Sequence, residues 1–194
     1  MNRKEIVRNI LSPALLVSIL VVGGCSSGRG ISEYSRVLTN ETVKANTTGL
    51  KIKVPAGWYT SVDNENNYSD LWILKDDRSE TMNFTRLNID GAAIKEAGGD
   101  ELEAALKYSR EFKKISLGKD YGETGSTEMA DYGNTKCAIY IYKNKYGAPV
   151  RTAVFKYGNQ FYELTAAPAP GNGAKLFNAE ELYFIQDAVL ASVE

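Results

Sequence analysis

Apolar and polar residues recur along this chain with two different periods, and the switches between them mark out its elements. Leu50, Ile52 and Val54 alternate with Lys51 and Lys53, the period of a half-buried strand. Gly49 opens that strand, and Pro55-Ala56-Gly57 closes it ahead of Trp58-Tyr59. A polar loop is expected over 60–70, a short strand at Leu71-Trp72-Ile73-Leu74, a charged turn over 75–80 and a further strand over 81–89. In that last strand Met82, Phe84, Arg86 and Asn88 share one face. Asn83, Thr85, Leu87 and Ile89 share the other, and this second face is expected in the core at its C-terminal end.

After Gly98-Gly99 the period becomes helical. Asp100 is a good N-cap, and Glu103 three residues on completes a capping-box pattern. Leu102, Ala105, Leu106, Phe112 and Ile115 form the expected inner stripe, and Gly118 ends the helix. Strands over 123–132, 136–143, 150–157 and 160–166 follow, joined by short turns of which Gly133-Asn134 and Gly158-Asn159 are of hairpin type. Asn178 then caps a last helix with Leu182, Ile185, Val189 and Val193 as its apolar stripe. The order β-β-β-α-β-β-β-β-α predicts an α+β domain over 49–194. Its antiparallel sheet of six to seven strands is expected to be covered by two amphipathic helices.

The first 48 residues follow a different logic. Arg3, Lys4 and Arg8 precede thirteen mostly apolar residues from Ile10 to Val22, and Gly23-Gly24-Cys25 comes next. That order is a secretory signal, residues 1–24, whose apolar run is short of the roughly 17–25 residues of a spanning helix. Small residues immediately before a cysteine make a bacterial lipoprotein cleavage site, with the Cys25 thiol as the acylated atom. The expected place of work is a bacterial cell membrane, lipid-anchored, with the domain outside the cytoplasm. Ser26 slightly favours the outer membrane. Residues 25–48, rich in Ser, Thr, Asn and Gly, are expected to act as lipidated cysteine and flexible tether, with a span on the order of 25 Å, and docking of the stretch around Tyr34–Leu38 on the domain is the open alternative.

Charge and composition narrow the chemistry. The signal takes three of the 23 basic residues and one of the 24 acidic ones, leaving 20 against 23, a net of −3. So mild a total argues neither for nucleic acid nor for electrostatic capture by an anionic membrane. With Cys25 acylated, Cys137 is the one thiol left of two cysteines, so no internal disulfide forms, and a small buried hydrophobe is the expected role. The chain has no histidine, which removes the commonest general base and metal ligand.

Other candidate chemistry is thin. Asp63-x-Glu65-x-Asn67 begins like a calcium loop, but Tyr68 stands at the required glycine and Leu74 at the terminal glutamate. The acid pairs Asp76-Asp77 and Glu101/Glu103 point apart on turn and helix. No phosphate-cradling glycine loop followed by Lys-Ser/Thr is present. No catalytic, cofactor or metal residues are therefore expected, and the chain reads as a non-enzyme. Twelve tyrosines remain. With Cys137, Ile139 and Ile141 facing the core, Tyr140 and Tyr142 face outward, where a helix or a partner must cover them, and they are the candidate partner surface.

The Pro55-Ala56-Gly57-Trp58 corner, the strand pair over 71–89, the mid-chain helix, the four-strand meander and the closing helix together resemble the Mog1/PsbP-like family. The likeness is to its bacterial lipoprotein branch, the DcrB type, and spans 49–194. It implies a non-enzymatic scaffold with helices on both faces of an antiparallel sheet that docks other proteins. The histidines used by the photosynthetic branch have no counterpart here. The expected function is a cell-envelope lipoprotein acting as a binding or assembly module for another envelope protein. The alternative is a carrier of a small apolar ligand or lipid held between sheet and helix. If the lipidation motif operates, Cys25→Ala leaves an unprocessed precursor or a soluble product; detergent phase partitioning indistinguishable from wild type would refute it.

Overall fold

The computed structural model describes residues 31–61, 69–169 and 177–194. Cys25 and the signal sequence lie outside them, as does most of the loop that begins like a calcium site. A helical turn α1 (Ile31–Tyr34) is followed by β1 (Leu38–Lys44), β2 (Lys51–Pro55), β3 (Trp58–Ser61), β4 (Leu71–Lys75) and β5 (Glu80–Leu87). Two helices follow, α2 (Gly91–Glu96) and α3 (Glu101–Leu117). Then come β6 (Gly122–Tyr132), β7 (Thr135–Lys143), β8 (Pro149–Tyr157), β9 (Gln160–Pro168) and α4 (Ala179–Ala191).

β3 to β9 form one antiparallel sheet in the order β3-β4-β5-β9-β8-β7-β6, so β9 returns to lie between β5 and β8. Both faces of this sheet are buried. One core gathers Trp58, Leu71, Ile73, Met82, Phe84, Ile139, Phe155 and Leu164 beneath α4, α1 and the β1–β2 ribbon. The other holds Leu87, Ala138, Tyr140, Val154 and Phe161 beneath α3. Strand β5 therefore feeds both cores: Leu87 buries the expected face at its C-terminal end, and Met82 and Phe84 bury the opposite face as well.

The helix boundaries follow their caps. Asp100 Oδ1 accepts from the backbone N–H groups of Leu102 (2.9 Å) and Glu103 (3.0 Å), and Asn178 Oδ1 accepts from Glu181 N (3.3 Å). Gly118 stops α3 at φ 54°, a conformation that disfavours residues with a Cβ. Gly57 (φ 78°) turns β2 into β3 and brings the Trp58 indole into the core, as the Pro-x-Gly corner suggests.

Two expectations fail. Residues 31–48 are not a tether: β1 pairs antiparallel with β2, and Tyr34 and Ala45 are buried. Tyr34 seats α1 through its ring contact with Phe184 on α4 (5.5 Å between centroids). Val43 is a half-buried position among polar neighbours, which hid the strand from a hydrophobic-pattern reading. The stripe assigned to α3 is also wrong in its second half. Ala105, Leu106 and Ser109 face the sheet, while Phe112 (52 % exposed) and Ile115 (83 %) lie on a flank of the helix that the sheet does not cover. Leu106→Ala and Ile185→Ala should each cost about 2–5 kcal/mol in urea unfolding. Phe112→Ala should change stability by less than about 0.5 kcal/mol.

Candidate functional site

Tyr140 and Tyr142 are not a surface. They stand on the α3 side of β7, 1 % and 6 % exposed, and the rings stack on each other and on Tyr121 at centroid distances of 5.9 and 5.7 Å. The Arg110 guanidinium lies 5.2 Å above the Tyr140 ring. The alternation of Cys137, Ile139 and Ile141 with the tyrosines holds, but the helix covers the second face, so the proposed partner residues are core. Burial and the Glu163 carboxylate push both phenols well above their usual range, and burial followed by the Glu123 hydrogen bond pushes Tyr121 up to about 12.

What the helix meets there is a buried polar cluster. Glu163 on β9 accepts from Ser109 Oγ (2.6 Å) and from Lys113 Nζ, both on α3. Ser109 has one hydroxyl proton, committed to the carboxylate, so the Tyr140 hydroxyl donates to Ser109 Oγ at 2.7 Å. Glu163 and Ser109 are fully buried, and Lys113 is partly buried. The neighbouring strand repeats the device on the opposite face. Arg151 on β8 donates to Gln186 Oε1 (2.7 Å) and Asp187 Oδ1 (2.6 Å) on α4 and to the Tyr132 hydroxyl (3.1 Å), which itself donates to Asp187 (2.7 Å). Gln186 Nε2 donates to the carbonyls of Leu164 (2.7 Å) and Arg151 (3.2 Å). A second buried carboxylate, Glu80, accepts from Lys75 and from the backbone N–H of Asn178 at the start of α4.

Glu163, Arg151 and Glu80 at the centres of these clusters are buried and paired, which suits clamps between helix and sheet and not a site that must receive a substrate. Cys137 is of the same kind: it is fully buried, and burial pushes its thiol up to about 12. Among the described residues no group of three or more Cys, Asp or Glu is placed to hold a metal.

Two accessible features remain. One is an open cleft of about 510 Å³ where β5 passes into α2. Leu87, Ile89, Ile94 and Phe161 supply its apolar part, and the ion pair of Lys156 with Glu101 stands at its rim. The other is an uncovered stretch of sheet. Trp58, Leu71 and Ile73 face the α4 core, so strand alternation puts Tyr59 and Trp72 on the α3 face. There α3 lies over β5, β7 and β8, and Tyr59 (42 %) and Trp72 (46 %) on β3 and β4 stay exposed. Tyr108, Phe112 and Ile115 follow one another at helical spacing along one flank of α3. The sequence places Trp72 and Tyr59 in strands but gives no sign that the covering helix stops short of them.

The fold is Mog1/PsbP-like. The solution structure of cyanobacterial PsbP (CyanoP) from Synechocystis sp. PCC 6803 aligns with a TM-score of 0.51 at 14 % identity, over 79 % of this chain and 91 % of that one. LpqN of Mycobacterium tuberculosis, described as involved in cell envelope biogenesis, aligns at 0.45 and 13 % identity over 84 % and 95 % of the two chains. A protein of Bacteroides thetaiotaomicron aligns at 0.43 and 15 % over 75 % of this chain and 44 % of its own. No family model and no curated relative matches the sequence. Identities this low establish the fold alone.

If the Glu163 cluster is the clamp that seats α3, Lys113→Met, which strands a buried carboxylate, should cost about 3 kcal/mol in chemical denaturation. The double variant Lys113→Met/Glu163→Leu should recover part of that loss. A Lys113→Met protein as stable as wild type would remove the clamp's role.

Proposed function

We propose that this chain is a cell-envelope lipoprotein, held to a bacterial membrane through acylated Cys25, whose domain is a non-catalytic binding or assembly module for another envelope protein. The compartment is inferred from the signal and its Gly23-Gly24-Cys25 end. Among the described residues no helix is long and apolar enough to cross a membrane, so in this reading the acyl chains supply the attachment. The non-catalytic reading rests on the missing histidine and on the engagement of the buried Glu163, Glu80 and Arg151 in holding helices.

The observation that carries the module reading is the exposure of Tyr59 and Trp72, diagonal to each other on adjacent strands of one sheet face, together with Phe112 and Ile115 exposed on a flank of α3. Large aromatics in the open are enriched at protein contacts, where a few of them supply most of the binding energy. The carrier alternative has the cleft beside Phe161 in its favour. That cleft is open and carries an ion pair at its rim, whereas a lipid site calls for an enclosed apolar cavity.

The test is crosslinking in native membranes. Trp72→Ala should reduce recovery of the crosslinked partner at least tenfold, corresponding to a central aromatic anchor worth about 2 kcal/mol, with melting temperature and membrane fractionation unchanged. Unaltered crosslinking would displace the docking face from this part of the sheet. A lipid found bound by native mass spectrometry and lost on Phe161→Ala would favour the carrier.

A further inference from the structure

The weak net charge of the chain conceals a strong separation. Residues 25–55 carry five basic side chains (Arg29, Arg36, Lys44, Lys51, Lys53) against two acidic ones (Glu33, Glu41), a net of +3. Residues 56–194 carry 15 against 21, a net of −6. The positive part is the part next to Cys25.

The β1–β2 ribbon turns that charge into a surface. Ile52 and Val54 point into the core, so Lys51 and Lys53 point out of it. Lys44 stands directly opposite Lys51 in the ladder, and Thr42 opposite Lys53, so three lysines share the solvent face of two short strands. Like charges placed directly across a ladder repel. Among the described residues none of the three lysines forms an ion pair within 4 Å. The ribbon's own acid is Glu41. On the far edge of β2 Glu194 exchanges two backbone hydrogen bonds with Lys51. An exposed, unpaired, like-charged face of this sort is relieved by an external anion.

Geometry says which anion is at hand. Six residue steps separate Cys25 from Ile31, the first residue of α1. A fully extended chain covers at most about 3.6 Å per step, so α1 lies within about 20 Å of the acylated atom. We infer that the Lys44–Lys51–Lys53 face of the ribbon rests on the anionic lipid headgroups of the membrane that holds the anchor. This rests on the lipidation reading of Cys25. Acylation makes the contact intramolecular, so a patch too weak to bind vesicles on its own is held at high effective concentration. The negative charge of residues 56–194 is repelled by the same surface and favours the one orientation with the ribbon down.

The experiment uses the full-length protein purified from bacterial membranes. It is reconstituted in vesicles of phosphatidylcholine alone or of an equal mixture with phosphatidylglycerol, recovered by flotation, and labelled at lysine with an amine-reactive ester read by mass spectrometry. Labelling of Lys44, Lys51 and Lys53 should be at least about fivefold slower in the mixed vesicles, and high salt should abolish the difference. Lys107 and Lys119, on the α3 side of the sheet, should label equally in both. Flotation with both vesicles but equal labelling of the three lysines overturns the inference and leaves the anchor standing. Flotation with neither vesicle overturns the anchor and this inference with it. Flotation only with phosphatidylglycerol, lost in Lys44→Gln/Lys51→Gln/Lys53→Gln, supports the lysine face and overturns the anchor.

Discussion

Burial of one sheet on both faces is the constraint from which the rest of this molecule follows. β8 and β9 have neither an edge nor an open face for most of their length, so their side chains must be apolar or fully satisfied on both sides. Each of these strands nevertheless carries one buried charge, Arg151 toward α4 and Glu163 toward α3. A charge at such a place is tolerable only with a fixed set of partners, and the partners belong to one helix on each side. The two strands thereby specify where their covering helices must sit.

The two helices answer that demand differently. α4 presents Leu182, Ile185, Val189 and Leu190 and adds Gln186, whose amide bridges backbone carbonyls of β8 and β9. Its docking is mainly hydrophobic. α3 buries small residues, Ala104, Ala105 and Ser109, with Leu106 as its one large buried side chain. Small residues bring its axis close to the sheet, where Ser109 and Lys113 reach Glu163 and Arg110 stacks over Tyr140. Hydrophobic burial contributes less here and electrostatic matching more. That leaves the larger apolar residues of α3, Phe112 and Ile115, free of any structural duty toward the sheet.

This difference explains what was legible in the sequence. Caps, turns and period-2 strands are local signals, and the element order, both long helices and the α+β class follow from them. Two-face burial is not local. The run from Cys137 to Tyr142 contains no charged residue, which is how a strand covered on both faces reads, yet alternation within it invites assigning half of it to solvent. Arg151 and Glu163, each flanked by uncharged residues within its strand, are the available signal for helix clamps. The inner face of α3 was misjudged because hydrophobicity ranks Phe112 and Ile115 above Ser109 and Lys113, while the partner strand supplies a carboxylate. The ribbon of residues 38–55 was half missed because β1 buries little and gains its place from backbone pairing with β2 and from the Tyr34 contact.

The same asymmetry constrains how the two proposed surfaces relate. The ribbon and α1 pack on the α4 face of the sheet, and Tyr59 and Trp72 open on the α3 face. A domain with its ribbon against the headgroups therefore carries its exposed aromatics on the side turned away from the bilayer, where a protein can reach them. Had the aromatics and the lysines shared a face, both would serve a membrane equally well, and an envelope partner would need separate support. Their separation by the thickness of the sheet is what lets the proposed lipid contact and the proposed protein contact coexist. If Cys25 is acylated as proposed, only five residues separate it from Ile31, and a link of so few residues would limit the rotations of the domain more than a long tether and favour an outward aromatic face.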